Sequence, residues 1–155
     1  MAVPAVGRMA PDFSLATDDG STLQLKSLRG RPVVLFFYPK DDTTTCTKEA
    51  CEFRDLFPRF DQAKAVVLGV SPDSVKSHAR FRARYALPYA LLADTEKTVV
   101  AQYDVWKEKS MYGRKYMGVE RTTFVIDAKG KVRHIFANVK TNGHAAEVMA
   151  VIDAL

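Results

Sequence analysis

The sequence predicts an α/β fold: a mixed central β-sheet, parallel in its middle, with helices on both faces. Three observations carry this. Val33-Val34-Leu35-Phe36-Phe37-Tyr38 and Ala65-Val66-Val67-Leu68-Gly69-Val70 are continuous, apolar and β-rich, the pattern of strands covered on both sides. Each is followed by a segment of helical periodicity, as parallel strands joined by crossover helices require. The chain then closes with two short apolar runs around a turn and a last helix.

The elements follow in order. Thr22-Leu23-Gln24-Leu25 alternates and suits an edge strand or hairpin arm. Pro39 ends the run 33–38, and Asp41 to Thr45 offer helix-capping side chains. From Thr44 to about Asp61, Ala50, Phe53, Phe57 and Phe60 recur at helical spacing. Ser71-Pro72-Asp73 closes the second strand, and Ser74 to Tyr85 reads as a helix with a basic face. Tyr89-Ala90-Leu91-Leu92 is a short strand and Glu96 to Tyr103 a short helix. Thr122 to Ile126 and Val132 to Phe136 flank Asp127-Ala128-Lys129-Gly130, a hairpin turn signal. The last helix carries Val148, Val151, Ile152 and Leu155 on one stripe. Val105 to Arg121, rich in Lys, Tyr, Met and Gly, reads as a long functional or partner-facing loop. No repeat or linker interrupts the 155 residues, so one domain spanning 1–155 is expected.

Composition narrows the function classes. Nearly half the residues are hydrophobic, so a core can form without disulfide staples. Met1 to Arg8 lacks the apolar stretch of a secretory signal, and no run approaches a membrane span, so a cytoplasmic protein is expected. The net charge is +5, yet the basic residues are dispersed among 18 acids, and no nucleic-acid or membrane partner is expected. His78, His134 and His144 are far apart and have no ligand spacing to one another or to the cysteines, so neither a zinc site nor another cofactor is expected.

The chain has two cysteines, Cys46 and Cys51. That number is too small for a secreted disulfide framework and leaves chemistry, metal binding or buried filler. Both lie at the start of a predicted helix, directly after a buried strand. Backbone N–H groups and the helix dipole stabilise an anion there, which favours the reactive thiolate. On an intact helix a five-residue separation means ~7.5 Å of rise and ~140° of rotation, placing the Cα atoms ~8–9 Å apart. A disulfide needs less than about 7 Å. The pair can therefore bridge only if the first helical turns unwind.

Pro39, Thr43 and Cys46 have the spacing Pro-x-x-x-Thr-x-x-Cys, which resembles the active-site signature of peroxiredoxins. Phe37-Tyr38-Pro39-Lys40-Asp41-Asp42-Thr43 and Cys46-Thr47-Lys48-Glu49-Ala50-Cys51 are similar to the bacterioferritin-comigratory, or peroxiredoxin Q, subfamily. So are Tyr112 to Gly118 and Arg121-Thr122-Thr123-Phe124-Val125-Ile126-Asp127, while Ala10-Pro11-Asp12-Phe13 resembles the entry segment of peroxiredoxins at large. The likeness runs along nearly the whole chain in the right order. Thr44-Thr45 stand where many relatives carry Pro-Gly, removing a glycine that eases unwinding.

The resemblance implies a thioredoxin-like fold and a thiol peroxidase that reduces hydrogen peroxide and organic hydroperoxides. It implies Cys46 as the peroxidatic cysteine and Cys51 as the resolving one, joined in a disulfide after local unwinding. Thr43 is implied to hydrogen-bond the thiolate and peroxide, Pro39 to shield the pocket, and Arg121 to hold the thiolate and polarise the substrate. Glu49 reads as a solvated or arginine-pairing residue. Thioredoxin, or a glutaredoxin system, is the implied reductant, and a monomer the implied state. Two alternatives stay open: a thiol–disulfide oxidoreductase, against which stands the lack of Cys-x-x-Cys, and a peroxide-sensing redox protein. Trp106, Tyr112 and Tyr116 either line the substrate entrance or pack on the domain surface.

Overall fold

The computed structural model describes residues 3–155; Met1 and Ala2, where the N-terminal reading begins, lie outside the described residues. Strand β3 (Val33–Phe37) is buried at every position because it lies between two neighbours in the seven-stranded sheet. It pairs in parallel with β4 (Val66–Ser71), which pairs in parallel with β5 (Ala90–Ala93). On its other side β3 runs antiparallel to β8 (Thr122–Ile126), and β8 to β9 (Val132–Phe136). The far edge is a hairpin, β1 (Ser14–Thr17) with β2 (Thr22–Gln24), joined antiparallel to β5 through β1. The sheet is mixed with a parallel centre, as expected. β1 is the arm the sequence reading left out.

Helices α1 (Thr44–Gln62), α2 (Val75–Tyr85) and α4 (His144–Asp153) bury one face of the sheet. Phe36 of β3 stacks on Phe53 of α1 with centroids 4.6 Å apart, and Phe60, Phe81, Val148 and Ile152 complete this layer. The other face is covered by α3 (Thr98–Gln102) and a 3-10 turn at Leu25–Leu28, with Phe37, Tyr103 and Phe124 at its centre. The expected stripe of α4 holds for Val148 and Ile152. Val151 is half-buried, and Leu155 lies past the helix end and is 43% exposed.

The segment expected as a long loop is instead a β-hairpin. β6 (Trp106–Met111) pairs antiparallel with β7 (Arg114–Val119) in a separate two-stranded sheet. Tyr112 and Gly113 both have positive φ, 51° and 77°, the signature of a two-residue hairpin turn whose twist matches its strands. β6 and β7 reach the core only at their shared end, through Trp106 and Val119; their other side chains are mostly long and polar, so the alternation that marks a half-buried strand is missing.

Candidate active site

The loop from Tyr38 to Thr43 carries the chain from the C-terminal end of β3 into α1. Pro39 is half-buried in this turn. Thr43 is the N-cap residue of α1, extended at φ −83° and ψ 157°. Its hydroxyl caps no helix N–H; it donates to the Lys40 carbonyl oxygen at 3.0 Å. The first-turn N–H groups thus keep their positive field for an anion. Cys46 lies in that first turn, 2% exposed, with Ala50 and Phe53 buried beneath it.

The second half of the site arrives through sheet topology. β8 pairs with β3 so that Thr122 lies opposite Phe37. This register places Arg121, just ahead of β8, beside the start of α1, 75 residues from Cys46 in sequence. Arg121 Nη2 donates to Cys46 Sγ at 3.3 Å and Nη1 to Glu49 Oε1 at 2.7 Å. Val139 N–H binds the Arg121 carbonyl at 2.9 Å and fixes its backbone. Burial works against the guanidinium's charge, and the Glu49 and Cys46 beside it offset that.

Glu49 is 1% exposed, and its Oε2 has no hydrogen-bond partner among the described residues. Burial pushes its carboxyl up to about 7, against the pull of Arg121. Lys109, half-buried on β6, adds a second cation. Burial and the nearby Arg121 lower its affinity for a proton, while the charges of Cys46 and Glu120 raise it. Cys51 stands on the same intact helix, half-buried and unbonded to Cys46. Burial pushes its thiol up, with Arg54 pulling down and Asp55 pushing up.

The structure therefore brings Cys46 and Arg121 into contact, with Glu49 in the arginine-pairing role. Thr43 and Pro39 sit in the adjoining turn, and Thr43's proton is directed at Lys40 rather than at the sulfur. A single arginine across a buried thiol at a helix N-terminus is an arrangement for holding a thiolate and the negative charge that develops when it attacks.

Residues 6–135 match the AhpC/TSA family. The putative peroxiredoxin Bcp of Coxiella burnetii is 51% identical over 144 residues, covering 93% of this chain and 95% of the relative. The chain belongs to the AhpC/TSA family, in its Bcp or peroxiredoxin Q group. Among solved structures, peroxiredoxin Q of Xylella fastidiosa, a cysteine-to-serine variant, superposes with a TM-score of 0.93 at 35% identity, covering 99% of this chain and 98% of that one. The bacterioferritin comigratory protein of Xanthomonas campestris, described with trapped intermediates of its alkyl peroxide reduction, gives 0.88 at 40% identity, covering 92% and 90%.

The thioredoxin-like fold expected of this peroxiredoxin is the one its neighbours share. Among the described residues no helix is long and apolar enough to cross a membrane. Of the aromatics in the hairpin, Trp106 is half-buried, while Tyr112 is 99% and Tyr116 44% exposed. Sequence reasoning did not find Lys109, because its nearness to Cys46 depends on the β6–β7 pairing it had read as a loop.

Proposed function

We propose that this chain reduces hydrogen peroxide and organic hydroperoxides to water and alcohols, using Cys46 as the peroxidatic thiol and Cys51 as the resolving thiol. The observation that carries the reading is the Cys46 sulfur, 2% exposed at a helix N-terminus with the Arg121 guanidinium 3.3 Å away. The Xanthomonas relative's alkyl peroxide reduction supports the substrate class.

The thiolate gives an electron pair to one peroxide oxygen. A sulfur–oxygen bond forms, the oxygen–oxygen bond breaks, and the alkoxide leaves and takes a proton. Arg121 and the helix N–H groups meet the charge that spreads over both oxygens. Thr43 turns its hydroxyl from Lys40 to the peroxide, and Pro39 keeps bulk water from the sulfur. The sulfenic acid then condenses with Cys51: a disulfide forms and water leaves. An external dithiol, thioredoxin in this reading, returns both thiols. Because both cysteines stand on an intact helix, the condensation requires the first turns of α1 to unwind. The protein acts as a cytoplasmic monomer.

NADPH consumption driven by peroxide, thioredoxin and thioredoxin reductase tests this. Wild type turns over, Cys46→Ser is inactive, and Cys51→Ser stops after one equivalent of peroxide. Full turnover by Cys51→Ser makes Cys51 a bystander. Oxidation of Cys46 without turnover by any dithiol points to a peroxide sensor. Insulin reduction without peroxidase activity points to a disulfide oxidoreductase.

A further inference from the structure

Two residues after Pro39 and two before Thr43, the chain is tied to α2, which packs on the same face of the sheet as α1, by a buried carboxylate. Asp41, 8% exposed, accepts from Tyr38 Oη at 2.6 Å through Oδ1. Through Oδ2 it accepts from Ser77 Oγ at 2.8 Å and pairs with His78 Nδ1 at 2.7 Å. The His78 ring is fully buried, and its Nε2 faces the Leu92 carbonyl of β5 at 2.9 Å. The Leu92 carbonyl can only accept, so Nε2 donates to it. The Asp41 N–H donates to Asp73 Oδ2 at 2.8 Å. Asp41, Asp73 and His78 present ligand atoms within 4.8 Å of one another, but the two Asp41 oxygens and both His78 nitrogens already have protein partners. The next residue, Asp42, is held in the left-handed region at φ 59° by Arg84 at 2.7 Å and by the Tyr85 hydroxyl at 2.8 Å.

A second anchor follows the cysteines' turn. Tyr89 Oη donates to the Ala50 carbonyl at 2.7 Å, and Phe53 is fully buried. Between the anchors lie Thr43 to Glu49. Thr43, Thr44, Thr45 and Lys48 are exposed, and the long-range side-chain bonds reaching this stretch come from Arg121.

We propose that Asp41 and His78 are positioning residues for the peroxidase reaction: they pin the loop ahead of α1, so that opening is confined to Thr43–Glu49 and closure returns Thr43 and Cys46 to one reactive register. The inference rests on the two-cysteine reading for why the turn opens, but the pin itself is measurable without Cys51. Weakening it favours the opened turn. The buried sulfur becomes easier to reach, while the closed arrangement that attacks peroxide becomes rarer.

The test uses reduced protein carrying Cys51→Ser, with Asp41→Asn, Ser77→Ala or Ser74→Ala added. Ser74 caps the same helix, accepting from the Ser77 N–H at 3.1 Å, and makes no bond to Asp41, so it controls for fraying of α2. Cys46 alkylation by iodoacetamide and its oxidation by hydrogen peroxide are followed by intact mass. Asp41→Asn is expected to alkylate about tenfold faster and oxidise several-fold slower, the weight of one hydrogen bond to a charged group. Ser77→Ala moves both rates the same way by less, and Ser74→Ala leaves both unchanged. A mere change in thiolate fraction would move alkylation and oxidation together, and that outcome overturns the proposal. So does alkylation of Asp41→Asn and Ser77→Ala at the parent rate, or the same response in Ser74→Ala. If the chain with both cysteines forms no Cys46–Cys51 disulfide, the two-cysteine reading falls and this test of the pin still stands.

Discussion

The Arg121 guanidinium is shared between Cys46 and Glu49: one nitrogen donates to the sulfur at 3.3 Å and the other to a carboxylate oxygen at 2.7 Å. The two acceptors lie within one turn of α1. Holding the guanidinium by both nitrogens fixes its plane, so the charge offered to the sulfur is oriented as well as near. Lysine can supply the charge but not the fork. Arg121→Lys is therefore expected to keep a small part of the activity, and Arg121→Met to lose roughly two orders of magnitude in the peroxide step, the usual weight of one preorganised donor. Single-turnover oxidation of Cys46 measures this. Equal rates for Arg121→Lys and wild type would show that the fork is unimportant.

Glu49 carries the cost of that arrangement. Its carboxyl is raised by burial from 4.5 to about 7 in the folded chain, so between these values the native state holds a proton that the unfolded chain has released. Stability accordingly falls as pH rises from about 4.5 and levels off above about 7, the full penalty being on the order of 3 kcal/mol. In Glu49→Gln this slope is expected to disappear. Urea denaturation of both proteins at several pH values from 5 to 8 measures it, and parallel pH profiles would refute the assignment. His144 slopes the other way. Burial lowers it to about 4, so its contribution is present above pH 6.5 and fades as pH falls toward 4; both proteins carry it, so it cancels in the comparison of Glu49→Gln with wild type.

What the sequence revealed follows from where the signals are local. The strands β3 and β4 and the helix α1 announce themselves, because continuous apolar runs and helical spacing record burial directly. β1 is only four residues long and was left out of the reading, although Asp18-Asp19-Gly20 after it has the composition of a turn. The β6–β7 hairpin was illegible for a different reason: its strands meet the core only at Trp106 and Val119, and Tyr112-Gly113 is a weaker marker than Asn-Gly. Cys46 was legible from its place at a helix start. Arg121, 75 residues away, carries no local sign of its role and was reached through the family resemblance alone. The Asp41–His78 pair had no signal either, since Asp41 reads as one more capping side chain and His78 as a lone histidine in a basic helix.

Gly69 shows how tightly the layer under the active-site loop is packed. It lies on β4 opposite Phe36, and a methyl group there would sit 2.9 Å from Leu91 Cδ2 and Phe36 Cζ and 3.1 Å from Tyr38 Cε1. All three side chains are buried, and Tyr38 is also bonded to Asp41. Gly69→Ala is expected to cost about 1–3 kcal/mol through overpacking. Thermal or urea unfolding reads the cost, and an unchanged midpoint would mean that the layer has slack.

Thr43 separates two roles that the sequence allowed to coincide. A helix-capping side chain would bond an N–H of the first turn; here the hydroxyl donates to the Lys40 carbonyl at 3.0 Å, and no side-chain cap is made. Losing it therefore removes little helix stability, while peroxide loses a donor if the hydroxyl swings toward it in the reaction. Thr43→Ser keeps the hydroxyl and is expected to retain most of the activity. Thr43→Val keeps the shape without the hydroxyl and is expected to slow Cys46 oxidation about a hundredfold with a change in unfolding free energy below ~1 kcal/mol. Stopped-flow oxidation and urea denaturation of the same two variants separate these effects. A large loss of stability with unchanged oxidation would return Thr43 to the role of a structural turn residue.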